Sequence, residues 1–120
     1  RHYTKVEPKH FEPIVEGMWR SVNVDGTSRM ARLDGWDVCG KTGTAQNPRG
    51  RDHSTFLSFA PKDNPKIAIS VYVENGGFGA SAALPIASLL EEYYLTDTIR
   101  RPALLEYVKN MQIYYPAYDR

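Results

Sequence analysis

Apolar residues recur at Phe11, Ile14, Val15, Met18, Trp19 and Val22, the spacing of one face of an amphipathic helix. Asp25-Gly26 stops that helix, and the polar residues 1–10, with Pro8 and two histidines, read as a connector. After a glycine-punctuated stretch at 25–35, Trp36-Asp37-Val38-Cys39-Gly40 turns strand-like. The breakers Asn47-Pro48-Arg49-Gly50-Arg51-Asp52 separate it from a second strand over 55–60. A turn, Pro61-Lys62-Asp63-Asn64-Pro65, leads to a third over 66–74. There Ile67, Ile69, Val71 and Val73 share one face, and Ala68, Ser70 and Tyr72 the other. A parallel crossover needs about a dozen residues or more, so strands linked this closely pair antiparallel. The pattern predicts a three-stranded antiparallel meander.

Asn75-Gly76-Gly77-Phe78-Gly79 breaks the third strand, and the glycines read as a strand-to-helix turn rather than a phosphate cradle. Ser81 is expected to cap a helix running through Tyr94. Ala82, Ala83, Leu84, Ile86, Ala87, Leu89 and Leu90 make that helix apolar nearly all round, as buried helices are. Pro85 is tolerable only near its start. Pro102 opens a last helix with Leu104, Leu105, Val108 and Met111, followed by Tyr114, Tyr115 and Tyr118, a docking surface or packing against a larger body. Strands followed by a buried helix imply an α+β fold with the helix laid across the sheet. Three strands barely make an independent sheet, and little here can cover the outer side of that helix. This mismatch, and a chain beginning with Arg1, point to a fragment of a larger domain or to an oligomer.

With 120 residues, 42% hydrophobic and 24% charged, the chain has ordinary globular composition. Fifteen basic against fourteen acidic residues, a net charge of +1, argue against a basic nucleic-acid binder or a polybasic membrane module. One cysteine excludes an internal disulfide scaffold. That residue, Cys39, reads as a small buried filler, and Trp19 and Trp36 as core. His2, His10 and His53 are too scattered for a metal site and read as surface residues, although His53 opens the second strand beside the first. No metal and no cofactor is expected.

The chemistry concentrates in Gly40-Lys41-Thr42-Gly43-Thr44-Ala45-Gln46. Residues 35–42 also satisfy the phosphate-loop pattern G-x-x-x-x-G-K-[ST]. That loop needs a buried strand before it and a helix starting at its lysine. Residues 29–34 make no such strand, and Gly43, Pro48 and Gly50 forbid the helix, so the match is fortuitous. As a strand, the segment alternates Lys41 and Gly43 on one face with Thr42 and Thr44 on the other. Lys41 offers a positive charge, the threonine hydroxyls can hold a carboxylate, and Gly43 leaves room for an extended peptide. The plain alternative is a strand end with a solvated lysine and a glycine bulge.

Lys41-Thr42-Gly43 is the K-T-G element found with S-x-x-K and S-x-N in penicillin-binding proteins and serine β-lactamases. The surrounding chain extends the match. The helix from Phe11 to Met18, the strand Lys41 to Gln46, Phe59-Ala60-Pro61 with Asp63-Asn64-Pro65, and Val73-Glu74-Asn75-Gly76-Gly77 resemble, in order, the transpeptidase domain of class B penicillin-binding proteins. The likeness is to the cell-elongation branch, the penicillin-binding protein 2 type, more than to the division branch. It spans about residues 4–95 and leaves 96–120 as a tail. It implies the serine β-lactamase and penicillin-binding transpeptidase fold, and the C-terminal segment of a D,D-transpeptidase domain that acts on D-Ala-D-Ala stem peptides through a serine acyl-enzyme.

By that resemblance, Lys41 belongs to the proton-transfer network around the nucleophile, and Thr42, Gly43 and Thr44 bind substrate. The Thr44 N–H is one oxyanion donor. Implied partners are the stem peptide, β-lactams, the upstream part of the same domain and membrane proteins of an elongation complex, but no nucleic acid. The implied location is the periplasmic side of a bacterial inner membrane, with the anchor outside this chain. None of Ser21, Ser28, Ser54, Ser58, Ser70, Ser81 and Ser88 has lysine three residues later. Ser21-Val22-Asn23 matches S-x-N but falls at a helix end, away from where the family carries that element. The chain alone is therefore expected to be inactive. The alternative within the resemblance is a non-catalytic penicillin-sensing or peptidoglycan-binding domain.

Overall fold

The computed structural model describes residues 1–113; the tyrosines at 114, 115 and 118 lie outside them. Helix α1 (Glu12–Asn23) begins with Pro13 in its first turn, where no backbone N–H is missed. Three strands follow, β1 (Cys39–Ala45), β2 (His53–Ala60) and β3 (Ile67–Val73), then α2 (Ala83–Thr96) and α3 (Pro102–Lys109). The sheet is the expected antiparallel meander in the order β1-β2-β3. The first strand starts at Cys39 rather than at Trp36, which makes only an isolated bridge to Leu33. Met111 lies past the end of α3.

The register sorts the side chains. Thr42 pairs with Phe56 and Phe56 with Val71, while Lys41 pairs with Leu57 and Leu57 with Ser70. One face therefore carries Phe56, Ile69, Val71 and Val73 into a core shared with Val22, Val38, Leu84 and Ala87. The other carries Lys41, Leu57, Ser70 and Tyr72, all exposed. Only the C-terminal end of α1 is fully covered, through Val22; Phe11 and Ile14 stay open. Helix α2 is buried along Ala83, Leu84, Pro85, Ala87, Ser88 and Leu89 yet exposes Leu90, Tyr93 and Tyr94. The shortage of cover read from the sequence is real. The radius of gyration, 15.6 Å, exceeds the about 14 Å of a closed domain this long.

Two features of α2 depart from the sequence reading. Ser81 does not cap it. The residue before the helix is Ala82, and the Ala83 N–H donates instead to Ser54 Oγ on β2 (2.9 Å). Nor is α2 apolar throughout, because Glu91 and Glu92 are buried. Glu92 is held by the Arg100 N–H (2.6 Å) and by Arg101, whose guanidinium also donates to the Met30 carbonyl (2.8 Å) and Ser88 Oγ (2.9 Å). This tie joins the segment after α2 to the rest of the fold. Glu91 receives a hydrogen bond from Ser58 Oγ (3.0 Å) at Oε2, while Oε1 has no partner among the described residues.

Burial raises the Glu91 carboxyl to about 7, offset only in part by the Ser58 hydrogen bond and the charge of Arg101. The ordinary value is 4.5. Between those values the folded chain keeps a proton that the unfolded chain has released. This contribution to stability is full below pH about 4.5 and is lost as pH rises through about 7, at no more than roughly 1.4 kcal/mol per pH unit. Thermal unfolding from pH 5 to 8 should show that decline, and Glu91→Gln should flatten it. An equal slope in both proteins would contradict the assignment.

Candidate functional site

Lys41 stands third in β1, an edge strand, and its side chain is exposed. Strand, not helix, follows it, so no helix N-terminus faces Lys41 and the phosphate-loop reading fails on geometry. Its Nζ donates to the Thr42 carbonyl (2.8 Å). Beside it runs an open groove of about 830 Å3 between α1 and β1, lined by Ile14, Met18, Ser21, Thr27, Lys41 and Leu57 among others. Arg49 and Arg51 lie in the loop that follows, with no acid between Lys41 and Arg51. Among the described residues these three cations have no ion-pair partner. The charged residues of the groove itself are Lys41 and Arg20 with Asp25, while Arg49 and Arg51 follow the other end of β1, Arg51 beside Gly77.

Thr42 is half-buried, and its hydroxyl lies 3.0 Å from that of Thr27. Thr44 is exposed. The alternation expected from the sequence holds, with Thr42 and Thr44 opposite Phe56 and Ser54 and Lys41 and Gly43 opposite Leu57 and Thr55. Gly43 has a packing role that the sequence did not reveal. The Thr55 hydroxyl occupies the space a Cβ would take.

The decoys have structural work. Ser21 Oγ bonds to Ser28 Oγ (3.0 Å), Val22 is core, and the Asn23 amide donates to the Trp19 and Val38 carbonyls (both 2.9 Å). Asn23 thereby ties α1 to the approach to β1. His53 accepts the Asn75 N–H at Nδ1 (3.0 Å) and lies against Tyr72, with ring centroids 5.4 Å apart. That hydrogen bond fixes the His53 ring to the turn after β3. His2 and His10 are exposed. Trp19 and Trp36 are half-buried, Trp36 packed against the core and Trp19 outside it, with Lys62 and Lys66 over their respective rings, and Trp19 donates to Asp37.

Comparison with known proteins follows the same order of elements. The family model described as the penicillin binding protein transpeptidase domain matches residues 2–90. The chain belongs to the penicillin-binding protein transpeptidase family. The peptidoglycan D,D-transpeptidase MrdA of Haemophilus influenzae is 38% identical, over 74% of this chain and 16% of that protein. Penicillin-binding protein 2 of Pseudomonas aeruginosa, solved in complex with WCK 5153, is 35% identical with a TM-score of 0.60, over 79% of this chain and 21% of that one. Penicillin-binding protein A of M. tuberculosis, solved as an imipenem acyl-enzyme, gives 28% and 0.60, over 75% and 20%. The chain spans about one-sixth to one-fifth of the length of these relatives. The α+β fold expected from the sequence is therefore a portion of the penicillin-binding transpeptidase fold, and the likeness to the penicillin-binding protein 2 type holds.

In this family member the sequence reading located the β1 motif but took Gly79 only as a turn residue, gave Ser54 no structural role and did not single out Glu91 or Arg101. The one available signal was alternation. Ser54 and Ser58 share a strand face with Phe56 and Ala60, so their hydroxyls had to find buried partners. Cys39 is fully buried, as expected, and its thiol is pushed up to about 11, chiefly by burial. A maleimide should therefore leave the native protein unlabelled at pH 7.5 and label it fully in denaturant; rapid native labelling would refute the assigned environment.

Proposed function

We propose that this chain is the C-terminal part of a peptidoglycan D,D-transpeptidase, and that β1 forms the wall of its active site that receives the acidic terminus of the substrate. The observation that carries this reading is an edge strand bearing Lys41-Thr42-Gly43-Thr44, with Lys41 lining an open groove and the Thr42 hydroxyl bonded to Thr27 of the same groove. In the complete enzyme a serine outside this chain attacks the penultimate D-Ala carbonyl of a stem peptide. The C–N bond breaks, D-Ala leaves, and the acyl group passes to an amine of a neighbouring strand. Lys41 takes part in proton transfer and electrostatics around that serine. The Thr42 and Thr44 hydroxyls bind the carboxylate, of stem peptide or β-lactam alike, and Gly43 belongs to the same binding strand. The Thr44 N–H stabilises the oxyanion, a contact whose loss costs on the order of 100-fold in rate.

By the same reading the enzyme works on the periplasmic side of an inner membrane and is anchored outside this chain, with elongation-complex membrane proteins as neighbours. The D,D-transpeptidase relative and the acyl-enzyme formed by penicillin-binding protein A support the activity class. Two measurements test it. Lys41→Ala in the complete protein should slow acylation by fluorescent penicillin at least about 100-fold while thermal unfolding stays cooperative. An unchanged rate removes Lys41 from the mechanism. The 120-residue chain by itself should take up no covalent fluorescent penicillin in a denaturing gel, for want of the S-x-x-K serine; stoichiometric labelling would overturn the half-site reading.

A further inference from the structure

The segment between β3 and α2 meets the sheet on the face opposite the Lys41 side chain, the face that Thr42 and Thr44 share with Ser54, and touches the motif's backbone at Gly43. A Cβ on Gly79 would stand 2.5 Å from the Thr55 carbonyl oxygen and 2.6 and 2.9 Å from the backbone O and N of Gly43. All three neighbours are main-chain atoms, so no rotamer change relieves the contact. Either β1 or the turn has to move.

The turn has little freedom to be the one that moves. Ser54 Oγ, fully buried on β2, lies 2.8 Å from the Phe78 carbonyl and 3.3 Å from that of Gly79 and can donate to either. It also accepts the Ala83 N–H at the start of α2 (2.9 Å). The Gly79 carbonyl receives the Leu84 N–H (3.0 Å), and the Gly77 N–H donates to the Asp52 carbonyl (2.8 Å). At the other side Asn75 is bonded to His53 and to the Asn47 amide (both 3.0 Å). The turn is therefore fastened to the start of β2, to α2 and to the β1–β2 loop, and through Gly79 it presses on the backbone between Thr42 and Thr44.

We propose that Gly79, pinned by Ser54, is a positioning residue for acylation: a backstop that sets the depth of β1 at Gly43 and with it the reach of the Thr44 N–H. This deepens the transpeptidase reading and rests on it. A misplacement on the order of 1 Å at a catalytic group costs about 100-fold in rate, and an added methyl in backbone contact forces a shift of that order. Lys41 and the threonine hydroxyls are all retained on β1, so the carboxylate is still bound, while the carbonyl is held off its oxyanion donor.

The test uses the complete transpeptidase containing this chain and follows acylation by a fluorescent penicillin over a concentration series. The series separates the limiting rate from half-saturation, and the labelled fraction is read independently. Gly79→Ala should lower the limiting rate about 10- to 100-fold, change half-saturation less than about threefold, and label to full stoichiometry. Ser54→Ala adds no atom and only releases the pin. It should lower the limiting rate several-fold and decides the matter if Gly79→Ala does not fold. A limiting rate within about twofold of the parent in the folded variants, or a loss confined to the labelled fraction, overturns the proposal. Lys41→Ala in parallel separates the two readings. If it abolishes acylation and Gly79→Ala does not slow it, only the backstop is wrong; if Lys41→Ala has no effect, the transpeptidase assignment of β1 falls with it.

Discussion

The pairing register of β1 on β2 governs both the core and the site. Phe56 is buried because it stands opposite Thr42 and beside Val71, and that same pairing turns Lys41 and Leu57 to the open face. A slip of one residue would set Lys41 opposite Phe56 or Ser58, so that either the lysine is stranded on the core face or Phe56 is carried out to the open face with it, reversing a burial worth about 2–3 kcal/mol. The site chemistry thus needs no special device to keep Lys41 outward. The hydrophobic pattern of the neighbouring strands already forces it.

That register is reinforced by polar groups placed where the sheet meets α2. Ser54 ties β2 to the helix start, Ser58 meets Glu91, and Arg101 closes the far end through Glu92 and Ser88. Buried polar groups left without partners are costly. These contacts therefore penalise alternative packings of α2 on the sheet more than an apolar seam would. Among the described residues Glu91 Oε1 is buried without a partner, and the burial of this carboxyl makes the fold's stability sensitive to pH in this region.

Much of this was legible from the residues. The meander followed from the alternation of Ile67, Ile69, Val71 and Val73 and from links too short for crossovers. The amphipathic stripe of α1 and the motif at 41–43 could be read directly. The bareness of α1 and α2 was visible as apolar surface without cover. Other features were hidden because they depend on contacts distant in sequence. Ser81 has the right chemistry for a cap, but Ser54, twenty-nine positions before Ala83, does the work. Gly79 looks like any turn glycine until its distance to Gly43 is known. Glu91 and Glu92 look like the polar end of a helix until Ser58 and Arg101 meet them.

One measurement bears most directly on the role of β1: a crystal structure of the complete transpeptidase acylated by a β-lactam. The account predicts the ligand carboxylate within about 3.2 Å of the Thr42 and Thr44 hydroxyls and the ester carbonyl oxygen at hydrogen-bond distance from the Thr44 N–H. A carboxylate held by another element, with β1 making no polar contact to the ligand, would contradict it.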